Sequence, residues 1–139
     1  MNQTRTLVAL GIAGVLTVAG CNQPRGPIEP NAIQYGNFKQ IYVDSYRLKQ
    51  ATNVDQPPSM TRDQYGLLHV TVPIRSVIDR PFTLQYRTTF FDRDRHVVNQ
   101  QSWTDLPMNP NTPERIEANS SAPADDFEMD LRVPPGFDF

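Results

Sequence analysis

Two stretches of strict period-two alternation decide what this chain can fold into. In Gly66–Arg75 (GLLHVTVPIR), Leu68, Val70, Val72 and Ile74 fall on one side, and His69, Thr71 and Arg75 fall on the other. In Phe82–Phe90, Phe82, Leu84, Tyr86 and Phe90 share one side, and Gln85, Arg87 and Thr89 share the other. A helix of 3.6 residues per turn would scatter these apolar residues around its axis, whereas a strand lines them up on one face. Both stretches therefore read as half-buried strands. Asp92-Arg93-Asp94-Arg95 makes a tight polar connection after the second, and His96–Trp103 (HVVNQQSW) returns as its hairpin partner.

The rest of the chain fits the same class. Phe38–Leu48 (FKQIYVDSYRL) is rich in β-branched and aromatic residues and reads as a strand. Ala51–Tyr65, with Pro57-Pro58, reads as a long loop, and Pro107–Pro113 as another. Arg115–Ala118 is expected as a short strand and Asn119–Ala124 as a turn. Phe127, Met129, Leu131 and Val133 then mark a last alternating strand, which Pro134-Pro135-Gly136 terminates. Pro73 lies in the first alternating strand and removes a ladder donor, so it calls for an edge or a bulge. Thirteen prolines against seven glycines favour turns over long helices, and nowhere does a helical apolar period persist for three turns. The expected fold is all-β, an antiparallel immunoglobulin-like β-sandwich of six or seven short strands over residues 38–139.

The chain's beginning reads as an address. Residues 1–6 are polar and carry Arg5, and Leu7–Gly20 (LVALGIAGVLTVAG) then runs without a charge. A membrane span needs about 20 apolar residues, so this run is short for one and fits a secretory signal. It ends in Val18-Ala19-Gly20-Cys21, which resembles the lipobox of bacterial lipoproteins. That resemblance implies cleavage between Gly20 and Cys21 and acylation of Cys21, the only cysteine of the 139 residues. Several acyl chains, at about 0.8 kcal/mol per buried CH₂, hold a protein firmly where one chain does not. Asn22 follows the cysteine in place of the aspartate that resembles an inner-membrane retention signal, so the expected location is the periplasmic face of the outer membrane. Residues 21–37 follow as an acylated Cys and Pro-rich tether, with Pro24, Pro27 and Pro30 spaced by three. Such spacing suits an extended spacer and is also that of polyproline ligands.

The segment Leu84-Gln85-Tyr86-Arg87-Thr88-Thr89-Phe90-Phe91-Asp92, with Val97-Val98 and Trp103 after it, carries a second resemblance. It resembles the YcfL-type family of small periplasmic lipoproteins, a domain of unknown function, whose signature is an aromatic strand of the form Y-R-x-x-F/W-F/Y-D before a turn and return strand. The family's glycine in that turn is replaced here by the Arg95-His96 region. The resemblance implies a lipid-anchored β-sandwich with a cell-envelope role, in the neighbourhood of lipoprotein activators of peptidoglycan synthases.

Candidate chemistry is sparse. The formal charge of −2 argues against a nucleic-acid partner, which needs a basic face. One cysteine excludes an internal disulfide and a multi-cysteine zinc site. His69 and His96 fall on outward or turn positions of separate strands, so no nucleophile–base pair is evident and no catalytic residue is assigned. Asp92-x-Asp94 lacks the glycine and glutamate of a calcium loop, and Asp92 reads better as a turn aspartate bonding its own backbone. Asp126, Glu128 and Asp130 alternate with Phe127, Met129 and Leu131 as a solvated strand face. Tyr35, Phe38, Tyr42, Tyr46 and Trp103 are candidates for an aromatic patch. The expected function is a non-enzymatic interaction module, tied to the membrane through its N-terminal lipid and meeting envelope proteins, with no cofactor or metal. The alternative is a periplasmic binder of a small ligand, glycan or metal, with Trp103, His96 and Asp94 as binding candidates.

Overall fold

A computed structural model describes residues 32–136. Gly20, Cys21 and the expected signal lie outside the described residues. Two sheets pack face to face as an all-β sandwich, in agreement with the fold class expected from alternation.

The first sheet runs β1 (Ile33–Tyr35), β2 (Phe38–Val43), β10 (Asp126–Arg132) and β6 (Phe82–Phe91), with β7 (Val97–Gln100) and β8 (Thr104–Met108) both against the far edge of β6. In the second sheet β5 (Leu67–Ser76) is central. One edge pairs with β9 (Pro113–Pro123), and the other with β3 (Thr52–Asn53) and β4 (Ser59–Arg62). The described chain therefore holds ten strands rather than six or seven. One pairing also departs from the antiparallel expectation, since β2 and β10 run parallel, with Met129 opposite Ile41.

The inward faces are the ones the alternation selects. Leu68, Val70, Val72 and Ile74 of β5 meet Leu84 and Phe90 of β6, with Phe127, Met129 and Leu131 of β10, in one buried cluster. Each such side chain contributes about 1.5–3 kcal/mol when taken out of water.

Several boundaries differ from the expected ones, each for a local reason. The strand expected over Phe38–Leu48 ends at Val43, because Ser45 caps a short helix, α1 (Tyr46–Ala51): its Oγ accepts from the Leu48 N–H at 3.3 Å. The expected loop over Ala51–Tyr65 contains β3 and β4. β4 is exposed at every residue, so no burial alternation marks it. The strand expected to stop at Ala118 continues to Pro123. Its buried face there carries Ala118 and Ser120, small residues that hide the period, and Ser120 Oγ accepts from the Leu68 N–H at 2.8 Å. Within the expected tether, Ile33–Tyr35 forms β1. Tyr35 is buried, and its hydroxyl donates to the Thr52 carbonyl, so burial raises its pKa although the Thr52 side chain offsets part of that rise.

The strand prolines occupy places where a missing N–H is tolerated. Pro73 lies in the part of β5 that has β9 on one side only, in the gap between the β4 partners (Leu68–Thr71) and the β3 partners (Arg75–Ser76). Pro107 is on the edge strand β8, opposite Thr83, and Pro113 and Pro123 are the ends of β9.

Candidate functional site

The outer face of the first sheet carries a group of aromatic and charged side chains in mutual contact. The register of β6 and β10 sets Arg87 opposite Asp130 and Gln85 opposite Arg132. Because side chains alternate, all four point away from the core. Arg87 Nη2 donates to Asp130 Oδ2 at 2.9 Å, with both side chains about three-quarters covered. Arg132 Nε donates to Gln85 Oε1 at 2.9 Å, and Gln85 Nε2 donates to Asp105 Oδ1 at 2.7 Å.

Trp103 completes this group because the edge strand is broken. β6 pairs with β8 through Phe82–Tyr86 and with β7 through Thr89–Phe91. Arg87 and Thr88 therefore face the break, where only the Gln101 N–H reaches the Thr88 carbonyl, at 2.9 Å. The return strand expected as His96–Trp103 thus stops at Gln100, and Trp103 belongs to neither ladder. Its indole lies against two guanidinium groups, with Arg132 Cζ 3.8 Å and Arg87 Cζ 4.6 Å from the ring centre. Each such contact is worth about 0.5–1 kcal/mol at a part-exposed site.

Beside the indole is a shallow hollow lined chiefly by Ala32, Tyr42, Asp44, Trp103, Asp130 and Arg132. It encloses about 240 Å³ counted out to its open mouth. Open solvent is part of that volume, so the hollow is a shallow surface feature well short of the roughly 300–1,000 Å³ that drug-sized ligands use. Tyr42 and Trp103 of the expected aromatic patch meet here. Tyr35 instead is buried, and Tyr46 projects from α1 at 68% exposure.

His96 and Asp94 belong to a different place. In the turn after β6, Asp92 Oδ1 accepts from the main-chain N–H groups of Asp94 and His96, both at 2.9 Å. The His96 imidazole lies 3.2 Å from Asp92 Oδ2. The His96 N–H, foremost, holds the Asp92 carboxyl below its usual range. This is the self-bonding turn aspartate expected from the sequence. Arg95 takes the left-handed conformation there, with φ of 65°, at the position where a glycine would be unstrained. Its guanidinium pairs with Asp126 and Glu128 and lies over the Phe91 ring at 4.4 Å. Phe91 is almost fully buried although it is outside the main core cluster, so Arg95 and its partners form a cover over an outward-facing phenylalanine. Arg87 and Phe91 are four residues apart on β6, or about 13 Å at the rise of a strand. The structure therefore does not bring Trp103 together with His96 and Asp94.

The other histidine is in the second sheet. His69 Nδ1 is 2.8 Å from Asn119 Oδ1, and its Nε2 is 3.7 Å from Asp63 Oδ2. Desolvation pushes the Asp63 carboxyl up, but the N–H groups of Leu67 and Tyr65 together with His69 outweigh it, so its pKa is lowered. Among the described residues, no group of three His, Cys, Asp or Glu side chains is arranged to hold a metal. No helix among them is long and apolar enough to cross a membrane.

Arg87, Arg132 and Asp130 are the site residues that sequence reasoning did not assign to a site, whereas Tyr42 was a candidate of the aromatic patch. The available signal was their place on the polar side of each alternation. What joins them is strand register, which the sequence does not state.

No curated protein matches the chain. The fold is similar to the crystal structure of Campylobacter jejuni cj0090, with a TM-score of 0.57 and 17% identity, covering 68% of this chain and 97% of that one. It is also similar to the crystal structure of a DUF1425 family member from Shewanella sp. pv-4, with a TM-score of 0.51 and 22% identity, covering 58% of this chain and 76% of that one. The model of a family described as a protein of unknown function, DUF1425, matches residues 39–133, from within β2 to just past β10. Since that span holds both central strands and nearly the whole sandwich, the chain belongs to the DUF1425 family.

Proposed function

We propose that the chain is an exported lipoprotein, acylated at Cys21 and held at the periplasmic face of the outer membrane, whose sandwich is a non-enzymatic interaction module for envelope proteins. The anchor part rests on the charged start, the short apolar run and Val18-Ala19-Gly20-Cys21. The interaction part rests on the Trp103 indole lying against Arg87 and Arg132. Tryptophan, tyrosine and arginine dominate the energetics of protein interfaces, because they present large area with little loss of side-chain freedom. Here the backbone and two guanidinium contacts already fix the indole, so a partner meets a preorganised surface. The neighbourhood of the peptidoglycan-synthesis machinery is the candidate setting, from the lipoprotein resemblance.

Two experiments test the two parts separately. Changing Cys21→Ser should move the protein from the membrane pellet to the soluble fraction, and unchanged pelleting refutes the anchor. A photocrosslinking side chain at position 103 should capture a defined envelope protein in intact cells, whereas the same group at the exposed Tyr65 should not. Equal capture from both positions, or none from position 103, refutes the interaction surface.

A further inference from the structure

An open sheet edge presents a row of unpaired main-chain N–H and C=O groups to any chain that can add a strand. In this sandwich most edges are closed by the protein's own side chains. At β1, Lys49 Nζ donates to the Gln34 carbonyl at 3.3 Å. At β3, the Tyr35 hydroxyl donates to the Thr52 carbonyl. At β9, Asn99 Oδ1 accepts from the Ser121 N–H at 3.1 Å, and Gln101 Nε2 donates to the Asn119 carbonyl at 3.2 Å. β8 carries Pro107, which has no N–H to offer.

β4 has no such closure. Ser59–Arg62 pairs with β5 on one side, and among the described residues its main chain bonds to nothing on the other. The usual guards are missing as well, since the strand holds no proline and its one charge, Arg62, is held by the β9–β10 turn. Arg62 Nε donates to the Ala124 carbonyl at 3.1 Å, and its Nη2 donates to Asp125 Oδ1 at 3.0 Å. We infer that β4 is a strand-addition site, which takes an extended peptide segment of a partner protein as a further strand of the second sheet.

The residues of the edge state what that segment carries. Met60 is opposite the core residue Val70 and so is on the core side of the sheet, yet it is 39% exposed at the rim. An apolar side chain beside Met60 extends the core. Ser59 and Thr61, opposite Thr71 and His69, are on the outer side, where small or β-branched polar side chains match them. With Arg62 paired to Asp125 the edge is neutral, and so is the segment that fits it. Asp63 then turns the chain back toward β5, its Oδ1 accepting from the Tyr65 and Leu67 N–H groups at 2.8 and 2.9 Å. The added ladder therefore ends at Arg62 and leaves Tyr65 outside. A second copy of the chain is a poor occupant on area. Four residues span about 14 Å of strand, and an edge contact of that length falls well short of the roughly 1,200 Å² that a stable protein pair buries. A peptide draws its affinity from main-chain hydrogen bonds and needs no such area. The edge is in the second sheet, apart from Trp103 on the outer face of the first, so it stands or falls separately from that surface.

β5 supplies the probe, because its Leu68–Thr71 already pairs with the other side of β4. A synthetic peptide with the sequence of residues 67–72 (LLHVTV), acetylated and amidated, is added to the purified protein, and amide hydrogen exchange is followed by NMR. The peptide should slow exchange within Ser59–Arg62 about tenfold and leave the closed edge Ile33–Tyr35 unchanged. The same peptide with proline at every second position cannot complete a ladder and should slow nothing. Ser59→Lys with Thr61→Lys guards the edge without touching a buried group, and should weaken peptide binding about tenfold. No slowing at Ser59–Arg62, equal slowing at Ile33–Tyr35, or binding that the two lysines leave unchanged overturns the inference. Slowing at β4 that rises with protein concentration in the absence of peptide makes a second copy the occupant, and overturns it too.

Discussion

Thr88 offers the sharpest test of how the sandwich is held together. It lies on the inward side of β6, opposite Met129, with no exposed surface, and among the described residues its Oγ1 has no hydrogen-bond partner. The hydroxyl is stranded because it stands on the inward face with Leu84, Phe90 and Met129, all apolar, while the break between β7 and β8 lies beside its main chain. The one bond made there, from the Gln101 N–H, goes to the Thr88 carbonyl and not to its side chain. A buried hydroxyl without a partner loses about 1–3 kcal/mol of hydration that nothing replaces. Valine has the same shape, keeps the β-branch that suits a strand and removes the polar atom. Thr88→Val should therefore stabilise the protein by about 1–2 kcal/mol. For a domain of this size that raises Tm by about 4–16 °C. Urea unfolding should show a higher midpoint at an unchanged slope, the signature of altered stability without altered compactness. Two controls fix the interpretation. Thr89→Val should destabilise by about 0.5–1.5 kcal/mol, because Thr89 Oγ1 accepts from Gln100 Nε2 at 2.9 Å. Thr88→Ser keeps the stranded hydroxyl and loses a methyl, so it should also destabilise, by about 1 kcal/mol. A Thr88→Val protein that is less stable than its parent by 1 kcal/mol or so would refute the reasoning, since the hydroxyl must then be bonded.

Further expectations follow from the turns and the buried phenol. Arg95→Ala should be less stable in urea than Arg95→Gly by about 1 kcal/mol, because both lose the Asp126 and Glu128 pairs but only alanine keeps the left-handed strain at φ of 65°. Equal stability of the two variants would mean that the turn tolerates a side chain there without cost. Gly66→Ala should destabilise by at least about 1 kcal/mol, since φ is +79° and the new Cβ would come 3.4 Å from Pro123 Cβ; a neutral result in thermal unfolding would refute this. Asp92 and Asp63 both have lowered carboxyl pKa values, so their contribution is present above the unfolded value of about 3.9 and lost as pH falls through the lower folded values. The stability of Asp92→Asn should therefore fall less steeply than the parent's below about pH 4. Tyr35 has a raised pKa, so the sign reverses: stability is intact below the free phenol value of about 10 and lost as pH rises toward the folded value. Tyr35→Phe should remove that alkaline loss and, without the bonds to Thr52, be less stable at neutral pH by about 1 kcal/mol.

The parts of the fold that were legible in the sequence are those where one face is buried and the other is not. β5 shows this best: Leu68, Val70, Val72 and Ile74 are buried and their neighbours are not, so period two was printed in the residue types. β10 was legible for the same reason, with Phe127, Met129 and Leu131 buried between part-exposed Asp126, Glu128, Asp130 and Arg132. Where burial does not select for size or hydrophobicity, the signal fades. Ser59–Arg62 is a strand through its backbone pairing to β5 alone, with all four side chains exposed. Ser120 occupies a core-facing position because its hydroxyl serves the Leu68 N–H, a bond between residues 52 apart that no local pattern announces. The parallel pairing of β2 with β10 is likewise a matter of which edges remain open once β6 is taken, not of either strand's composition.

Trp103 shows why the candidate site was harder to read than the fold. As the last residue of a continuous return strand, it would have continued the β7 register against β6. The break after Gln100 removes it from that register and lets β8 begin afresh at Thr104, opposite Tyr86. No glycine or proline marks the break. Beside it on the outer face, Arg87 and Asp130 form a covered ion pair and Arg132 stands two residues further along β10. Closing the ladder over Arg87 and Thr88 would carry the indole away from both guanidiniums. Leaving it open stacks the tryptophan outside. The break thus leaves three residues, Gln101–Trp103, between β7 and β8 and sets the place of the indole. Closing the break should therefore move it: a variant that shortens Gln101–Trp103 so that β7 and β8 become continuous should expose Trp103 to quencher. A shortened loop that leaves Trp103 stacked would assign the tryptophan's position to its guanidinium contacts alone.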